Sequence, residues 1–259
     1  MKYLLLAIAM IVMTAASVQA EVRTQVIEYK LGATVLEGYL AYDDKLSGKR
    51  PGVLVVHEWY GINPYIKKRT EQLAQLGYIA FAADIYGKGI RPKNEKEAAA
   101  QATTYKSDRR LMRARARAGL DVLRKHELTD NKRIAAIGYC FGGTTVLELA
   151  RSGEDINGVV SFHGGLDTPN PGDAKNIKAK VLALHGADDP FVPMKEVLAF
   201  QDEMRKGGVD WHMVIYGNAV HSFTNPEAGT DTSKGAAYNE KADKRSWNAM
   251  KVFFAEIFK

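Results

Sequence analysis

The chain has 259 residues, of which 46% are apolar and 25% are charged, and its formal net charge is +6 at pH 7. These values are typical of a globular protein and exclude an intrinsically disordered, a collagen-like or a coiled-coil chain. The length suits one large α/β domain and is too short for three domains.

The first twenty residues predict a secretory signal peptide. Lys2 precedes an uninterrupted apolar run over residues 4–13, and the stretch ends in small residues with Val18-Gln19-Ala20 before Glu21. This run is too short to span a bilayer, which takes about 20 apolar residues. We therefore expect residues 21–259 to form a single exported domain, periplasmic or secreted, without stable membrane insertion. The alternative is that residues 1–20 are an N-terminal tail or a core helix.

Short apolar strands alternate with helices along the rest of the chain. The strands are expected, in chain order, at residues 25–29, 34–42, 52–57, 78–84, 133–138, 158–162, 181–185 and 210–216. The helices are expected at residues 64–76, 95–126 with a division near 107–108, 141–150, 193–206 and 243–258. The first two strands read as an antiparallel pair, and the later runs without polar alternation suit strands that are covered on both sides. The pattern predicts an α/β fold with a mostly parallel central sheet and helices on both faces.

A glycine-rich turn between a strand and a helix carries the only cysteine of the chain, Cys140, within Gly-Tyr-Cys-Phe-Gly-Gly over residues 138–143. A nucleophile on such a tight turn needs small neighbours two positions to either side. The turn would expose the thiol at a helix N-terminus, which favours the thiolate, and would aim the amide of Phe141 at a developing oxyanion. The alternative is a small buried core residue, which is what most free cysteines are.

An acid and a histidine follow the cysteine, each after a later strand. Asp189 lies four residues before Pro193, which begins a helix, and His221 lies in the loop after the last strand. The chain order of nucleophile, acid and histidine is that of the α/β-hydrolase triad. We expect His221 to move the thiol proton and Asp189 to hold the imidazole. Asp188 is the competing acid, and an idle loop histidine is the alternative for His221.

A second oxyanion donor is expected in the loop after the strand that ends at His57. In this fold the second amide comes from such a loop, which makes the amide of Trp59 the partner of the Phe141 amide.

Five segments of the chain together resemble the dienelactone hydrolase family. They are HEWYGIN at 57–63, ADIYG at 83–87, GYCFGG at 138–143, DPFVP at 189–193 and HSF at 221–223. The resemblance covers nearly all of residues 21–259 and implies an α/β-hydrolase fold with a Cys-His-Asp triad and no cofactor. It also implies that Glu58 interacts with the resting cysteine and is displaced when substrate binds. On the residues alone, Glu58 could also be a structural salt-bridge partner.

The resemblance is weaker at the positions that contact the substrate in family members. Family members that open dienelactones carry two arginines that hold the substrate carboxylate, and Lys88 and Asn225 occupy those positions here. Lysine keeps the charge but loses the bidentate fork, and asparagine loses the charge, which argues against an anionic dienelactone. Arg91 could supply a replacement or be an exposed loop residue. The candidate substrate contacts are Tyr86, Lys88, Arg91, Ser222 and Asn225.

These observations favour a hydrolase that cleaves a small ester or lactone through a thioester on Cys140. A thiol redox protein is a rival, although it would need a partner thiol because the chain has no second cysteine. A binding protein that kept the fold without turnover is another. The sequence gives no indication of oligomeric state.

Two further groups of residues, four histidines and five arginines, are interpreted as structural and not as parts of a binding site. No metal site is expected, because none of the histidines at 57, 163, 185 and 221 shows short ligand spacing. The arginines at 109, 110, 113, 115 and 117 are expected on a solvated helix face, partly paired with Asp121 and Glu127. No aromatic residue is interleaved with them to stack on bases, so no nucleic-acid partner is expected.

Overall fold

A single sheet forms the centre of the computed structural model, which describes residues 21–259. The expected signal peptide lies outside these residues. In the described part of the chain the sheet has eight strands in the order β1-β2-β4-β3-β5-β6-β7-β8. The strands are β1 Val22–Leu31, β2 Thr34–Asp43, β3 Arg50–Val56, β4 Ile79–Ala83, β5 Thr129–Tyr139, β6 Gly158–Phe162, β7 Lys180–Gly186 and β8 Trp211–Tyr216.

Strand β2 pairs antiparallel with both β1 and β4, and every other neighbouring pair is parallel. All five residues of β4 and of β6 are buried, as expected for strands with helices on both sides. The α/β architecture predicted from the alternating pattern is therefore confirmed, and it is of the α/β-hydrolase type that the family resemblance implied.

Six α-helices of the described residues cover the two faces of the sheet. They are α1 Pro64–Gln75, α2 Glu95–Ser107, α3 Arg109–Lys125, α4 Phe141–Arg151, α5 Met194–Lys206 and α6 Glu240–Ile257. Helices α2 to α5 bury apolar side chains in one core cluster, and α1 and α6 bury theirs in the cluster on the opposite face. None of the helices in residues 21–259 has the length and apolar character of a membrane span.

Several element boundaries depart from expectation, including that of β1, which runs from Val22 to Leu31 instead of over 25–29. Strand β5 begins at Thr129, four residues early, because Arg50 and Pro51 extend its pairing with β3 across a register shift. Helix α6 begins one turn early, where the side chain of Asn239 accepts a hydrogen bond from the amide of Ala242. Leu76, expected in the core, is 44% exposed because helix α1 ends before it.

Arg109 and Arg115 of α3 are buried, which corrects the expectation of a solvated arginine face, and several α3 arginines form ion pairs. Most of their partners lie on other elements. The pairs are Arg109 with Asp167, Arg113 with Glu148 and Asp173, Arg117 with Glu154, and Arg124 with Asp121 and Glu154. These contacts tie α3 to α4 and to the segments after α4 and β6, and the expected partner Glu127 takes no part in them.

The parallel strands place their carboxyl ends along one edge of the sheet. The segments after β3, β4, β5, β6, β7 and β8 therefore meet there, at the position where open α/β sheets hold their ligands. Every candidate site residue of the chain belongs to one of these segments.

Candidate active site

Cys140 occupies the turn between β5 and α4 with a strained backbone. Its φ of 53° and ψ of −115° lie in a region that residues other than glycine rarely adopt. Its amide donates hydrogen bonds to the carbonyl oxygen of Phe162 at 3.0 Å and to Nδ1 of His163 at 3.1 Å. Such strain costs about 1–3 kcal/mol and persists only where the surrounding structure enforces it. The thiol is partly exposed, unlike a cysteine sealed in the core.

The glycines around Cys140 are required by close backbone packing. A Cβ at Gly138 would lie 2.0 Å from the carbonyl oxygen of Gly142. A Cβ at Gly142 would lie 2.2 Å from the carbonyl oxygen of Val56, at the end of β3. Backbone atoms cannot move aside as a flexible side chain can, so a side chain at either position would displace the turn. The glycine spacing therefore follows from how the turn packs on itself and on β3.

His221 and Asp189 form a hydrogen-bonded pair beside the thiol. Oδ2 of Asp189 lies 2.7 Å from Nδ1 of His221. Oδ1 of the same carboxylate accepts from the amides of Phe191 at 2.9 Å and Val192 at 3.2 Å, which fixes its orientation. Asp188 is exposed instead, and its amide donates to the carbonyl oxygen of Ala219 at 3.0 Å. The structure thus brings Asp189, and not Asp188, to the imidazole.

The imidazole of His221 is held in its charged form. Burial lowers its pKa, but the charge of the Cys140 sulfur and hydrogen bonds with Asp189 and Cys140 outweigh this effect and raise the pKa to about 10. This raised pKa favours the protonated form of the imidazole at neutral pH.

Two backbone amides flank the thiol on adjoining segments. Phe141 is the first residue of α4, and Trp59 follows β3, whose last residues lie against the start of α4. Within residues 21–259 neither amide donates a hydrogen bond to a protein acceptor. The hydroxyl of Tyr86 donates to the carbonyl oxygen of Trp59 at 3.0 Å and so fixes this peptide. Both amides are free to bind an oxygen of a reacting group.

Glu58 is buried, with 3% of its surface exposed, and is held by the loop that carries His221. Nδ2 of Asn225 donates to Oε2 at 2.7 Å, and Oγ of Ser222 donates to Oε1 at 3.3 Å. Burial raises the pKa of Glu58, and Asn225, His221 and Ser222 oppose that rise. The expected hydrogen bond to the resting cysteine is not among the contacts formed within residues 21–259.

The two cations proposed as substrate contacts are paired with carboxylates elsewhere. The ammonium of Lys88 binds the exposed Glu28 on β1. The guanidinium of Arg91 lies 3.6 Å from Glu37 and 3.8 Å from Asp84 and donates to the carbonyl oxygen of Ile90 at 2.8 Å. These contacts connect the segment after β4 with the first strands, so both residues have partners within the protein. Ser222 and Asn225, the other polar candidates, are hydrogen-bonded to Glu58.

His163 and Thr224 belong to the site although the sequence did not single them out for it. His163 was counted only as a structural histidine, yet it accepts a hydrogen bond from the amide of Cys140. Its other ring nitrogen lies 2.7 Å from Oγ1 of Thr224, three residues beyond His221. The position of His163 directly after β6 is the one sequence signal that could have found it. In the described chain no group of three metal-binding side chains forms.

Comparisons with known proteins agree with this geometry. A family model described as "Dienelactone hydrolase family" matches residues 36–258. The solved structure of a protein designated m3DLH is 42% identical with a TM-score of 0.88, and the match covers 92% of this chain and 99% of that one. The structure of the dienelactone hydrolase-like promiscuous phosphotriesterase P91 from metagenomic libraries is also 42% identical, with a TM-score of 0.87 and the same coverage. A putative carboxymethylenebutenolidase of Aquifex aeolicus is 28% identical over 91% of this chain and 99% of its own length.

Proposed function

We propose a mechanism for this chain, which belongs to the dienelactone hydrolase family of ester and lactone hydrolases. The chain cleaves its substrate through a thioester on Cys140. The observation that carries this proposal is the contact of Cys140, on its strained turn, with the charged imidazole that Asp189 holds at 2.7 Å.

The first half of the reaction forms the thioester. The thiolate attacks the carbonyl carbon, the C–S bond forms, and the carbonyl electrons move to an oxyanion that the amides of Trp59 and Phe141 bind. When the tetrahedral intermediate collapses, the C–O bond of the ester breaks. The leaving alkoxide takes the proton of the His221 imidazolium and departs as an alcohol.

The second half releases the acid and restores the enzyme. His221, now neutral, takes a proton from water as the water oxygen attacks the thioester carbon. The C–S bond breaks and Cys140 leaves as a thiolate beside the imidazolium. Asp189 stays ionised throughout and keeps Nε2 of the ring directed at the reacting atoms.

The charges around the thiol favour a neutral substrate over an anionic one. Glu58 places a buried carboxyl in the site. Lys88 and Arg91 are already paired with acids, and the amide of Asn225 is engaged with Glu58. A substrate carboxylate would meet no unpaired cation among these groups and would be repelled by Glu58 when that group is ionised. We therefore propose uncharged esters and lactones as the substrate class.

A phosphotriester is a second candidate substrate, because of the 42% identity with P91. A neutral phosphotriester presents a phosphoryl oxygen that the same two amides could bind. The sulfur of Cys140 would attack phosphorus as the P–O bond breaks and His221 protonates the leaving alkoxide. Water, activated by the neutral His221, would then cleave the P–S bond and return the thiolate.

Turnover assays on matched variants test the proposal. Wild type, Cys140→Ala and His221→Ala are compared on p-nitrophenyl acetate, on a panel of neutral lactones and on a p-nitrophenyl phosphotriester. We expect each substitution to lower kcat/KM for the esters by about 10⁴-fold or more. Retained turnover without Cys140 would refute the mechanism. If the esters are inert and the phosphotriester is cleaved, the second candidate replaces the first.

The redox and binding alternatives give different results in the same assay. Loss of His221 would leave thiol oxidation and reduction nearly unchanged while Cys140 stayed essential. A binding protein would show no turnover with both residues intact.

We also propose that the chain is exported through residues 1–20. The support is the sequence pattern of an apolar run followed by Val18-Gln19-Ala20. N-terminal sequencing of the protein from a fractionated bacterial host tests this: export predicts Glu21 at the N-terminus in the periplasmic fraction or the medium. An intact Met1 in the cytoplasmic fraction would contradict it.

A further inference from the structure

His163 lies between the turn of Cys140 and the loop of His221. It follows β6 directly, it is fully buried, and its φ of 40° is in the left-handed region. Its amide donates to the carbonyl oxygen of Leu184 at 2.8 Å, which ties this strained residue to β7. A bulky residue keeps such a conformation only where its surroundings enforce it.

The hydrogen bonds of the His163 ring determine which nitrogen carries the proton. The amide of Cys140 can only donate, so Nδ1, at 3.1 Å, must be the acceptor. A neutral ring then carries its proton on Nε2, which donates to Oγ1 of Thr224 at 2.7 Å. The Thr224 hydroxyl forms a further hydrogen bond with the hydroxyl of Tyr65 at 2.6 Å, in which either oxygen can donate. A second ring proton would face the Cys140 amide and break this chain of bonds.

The ring of His163 also packs against the imidazole of His221. The two ring centroids lie 5.3 Å apart in an edge-to-face arrangement. Burial lowers the pKa of His163 well below its usual value, and the charge of His221 lowers it further. Two buried cations at this separation would repel each other strongly. Of the two neighbouring rings, only His221 therefore carries charge.

We propose that His163 is a positioning residue whose neutral ring links the Cys140 turn to the loop of His221 and so sets how the sulfur meets the imidazole. This role rests on the hydrolytic function proposed above, since it acts on the same pair of groups. One ring nitrogen holds the nucleophile's own amide and the other holds the loop three residues beyond the base. Loss of the ring bonds would leave the two reacting segments without their direct connection.

Other titratable and charged groups face this region from every element around it. They are Glu58 after β3, Tyr86 after β4, Tyr139 on β5, His185 on β7, Asp189 after β7, and Tyr65 and Arg69 on α1. None of these side chains bridges Cys140 and the residues just beyond His221, as the ring of His163 does. The variants below leave all of them in place except Tyr65, which serves as the control.

Four variants separate a positioning role from simple filling of space. His163→Phe keeps a ring beside His221 and removes both hydrogen bonds. His163→Asn can still accept from the Cys140 amide, since its Oδ1 occupies the place of Nδ1, and it tolerates a positive φ. Thr224→Val removes only the hydroxyl that the ring binds. Tyr65→Phe shortens the far end of the chain and leaves the ring bonds intact.

Two readouts are measured for each folded variant. The first is kcat and KM for p-nitrophenyl acetate. The second is the rate of Cys140 alkylation by iodoacetamide against pH, which reports the thiolate directly and needs no turnover.

The proposal predicts a graded pattern. His163→Phe lowers kcat roughly 10- to 100-fold with little change in KM, and moves the alkylation profile to higher pH. Thr224→Val shows the same change to a smaller extent, His163→Asn recovers part of the loss, and Tyr65→Phe matches wild type. A space-filling role predicts instead that His163→Phe is silent in both readouts.

Misfolding of a variant and absence of esterase activity in wild type are both distinguished from failure of the proposal about His163. If His163→Phe does not fold by circular dichroism, Thr224→Val decides, and an unchanged profile in that variant overturns the proposal. If wild type cleaves no ester, the proposed function fails, but the alkylation profiles still test whether His163 sets the state of the thiol.

Discussion

Replacing Asp189 with asparagine tests the charge arrangement of the site. The substitution keeps the size of the side chain and an oxygen for the amides of Phe191 and Val192, and it removes the negative charge at 2.7 Å from Nδ1 of His221. The asparagine NH₂ group would then face Nδ1, which favours the tautomer with its proton on Nε2, toward the sulfur. That nitrogen could no longer accept a proton in the second half of the reaction.

The size of the effect follows from the hydrogen bond. A charge-assisted hydrogen bond to a buried group contributes about 1.5–3 kcal/mol, and 1.36 kcal/mol corresponds to one pKa unit. The Asp189→Asn substitution should therefore lower the pKa of His221 by about one to two from its value of about 10. The imidazolium that protonates an alkoxide leaving group is then lost at lower pH, so the alkaline limb of the kcat/KM profile, which reports the free enzyme, moves down by the same amount for an alkyl ester. Because the tautomer is also wrong, we expect kcat to fall about 10²- to 10⁴-fold.

The assays are kcat/KM against pH on an alkyl ester and kcat on p-nitrophenyl acetate, with the ultraviolet absorbance of the thiolate followed in parallel. Asp188→Asn is the matched control, since Asp188 is exposed and it is Asp189, not Asp188, that bonds the imidazole of His221. It should keep the wild-type profile. The reasoning is refuted if Asp189→Asn keeps both the rate and the alkaline limb, or if Asp188→Asn shows the loss instead.

Three further predictions concern stability and are measured by urea unfolding. Gly142→Ala should lower the free energy of unfolding by about 3 kcal/mol or more, because its Cβ would lie 2.2 Å from a backbone oxygen of β3. Gly217→Ala, which meets no atom within 4 Å, should be nearly neutral, and equal losses would contradict the packing argument. Glu203→Ala removes the two hydrogen bonds, at 2.8 and 2.7 Å, that Glu203 accepts from the buried Arg151 of α4. It should lower the free energy of unfolding by about 3–5 kcal/mol. Asp202→Ala, on the exposed side of α5, should cost less than about 1 kcal/mol, and a similar cost for both would be the contrary result. Burial lowers the pKa of His57 from 6.5 to about 4, so between these values the unfolded chain binds a proton that the native state refuses. Wild type should lose about 3 kcal/mol through this group as the pH falls across that window, and an equally steep pH dependence in His57→Gln would count against the assignment.

Most of the fold could be predicted because its signals are local. Buried parallel strands read as short apolar runs, and glycine, proline and capping residues mark their ends. Strand β6 and the division between α2 and α3 were placed correctly on that basis. The early start of β5 was not, because its first residues pair with β3 through Arg50 and Pro51, and such pairing leaves no local pattern.

In the candidate site, too, some features follow from local sequence signals and others depend on contacts between segments distant in sequence. Cys140, Asp189 and His221 follow β5, β7 and β8, and the fold carries the ends of parallel strands to one edge, so chain order was enough to place them together. The partners of Lys88 and Arg91 could not be predicted, since Glu28 and Glu37 come from the first two strands. Side-chain pairing across such distances in sequence depends on the assembled structure.

The chemical state of the buried groups is the other part that sequence could not give. His163 and His221 are the same residue type in neighbouring segments, yet burial lowers the pKa of one while Cys140 and Asp189 raise the pKa of the other. The difference arises from which hydrogen-bond partners each ring meets. Those partners come from the turn after β5 and from the loop after β7.

Acid quenching during turnover of p-nitrophenyl acetate, followed by mass spectrometry of the digested protein, tests the thioester most directly. With this good leaving group the acyl-enzyme should accumulate and give a burst of p-nitrophenol equal to the enzyme concentration. The account predicts one acetyl group on the peptide that contains Cys140 and none in Cys140→Ala. Continued turnover with that peptide unmodified, or an acetyl group on another residue that is needed for activity, would contradict it.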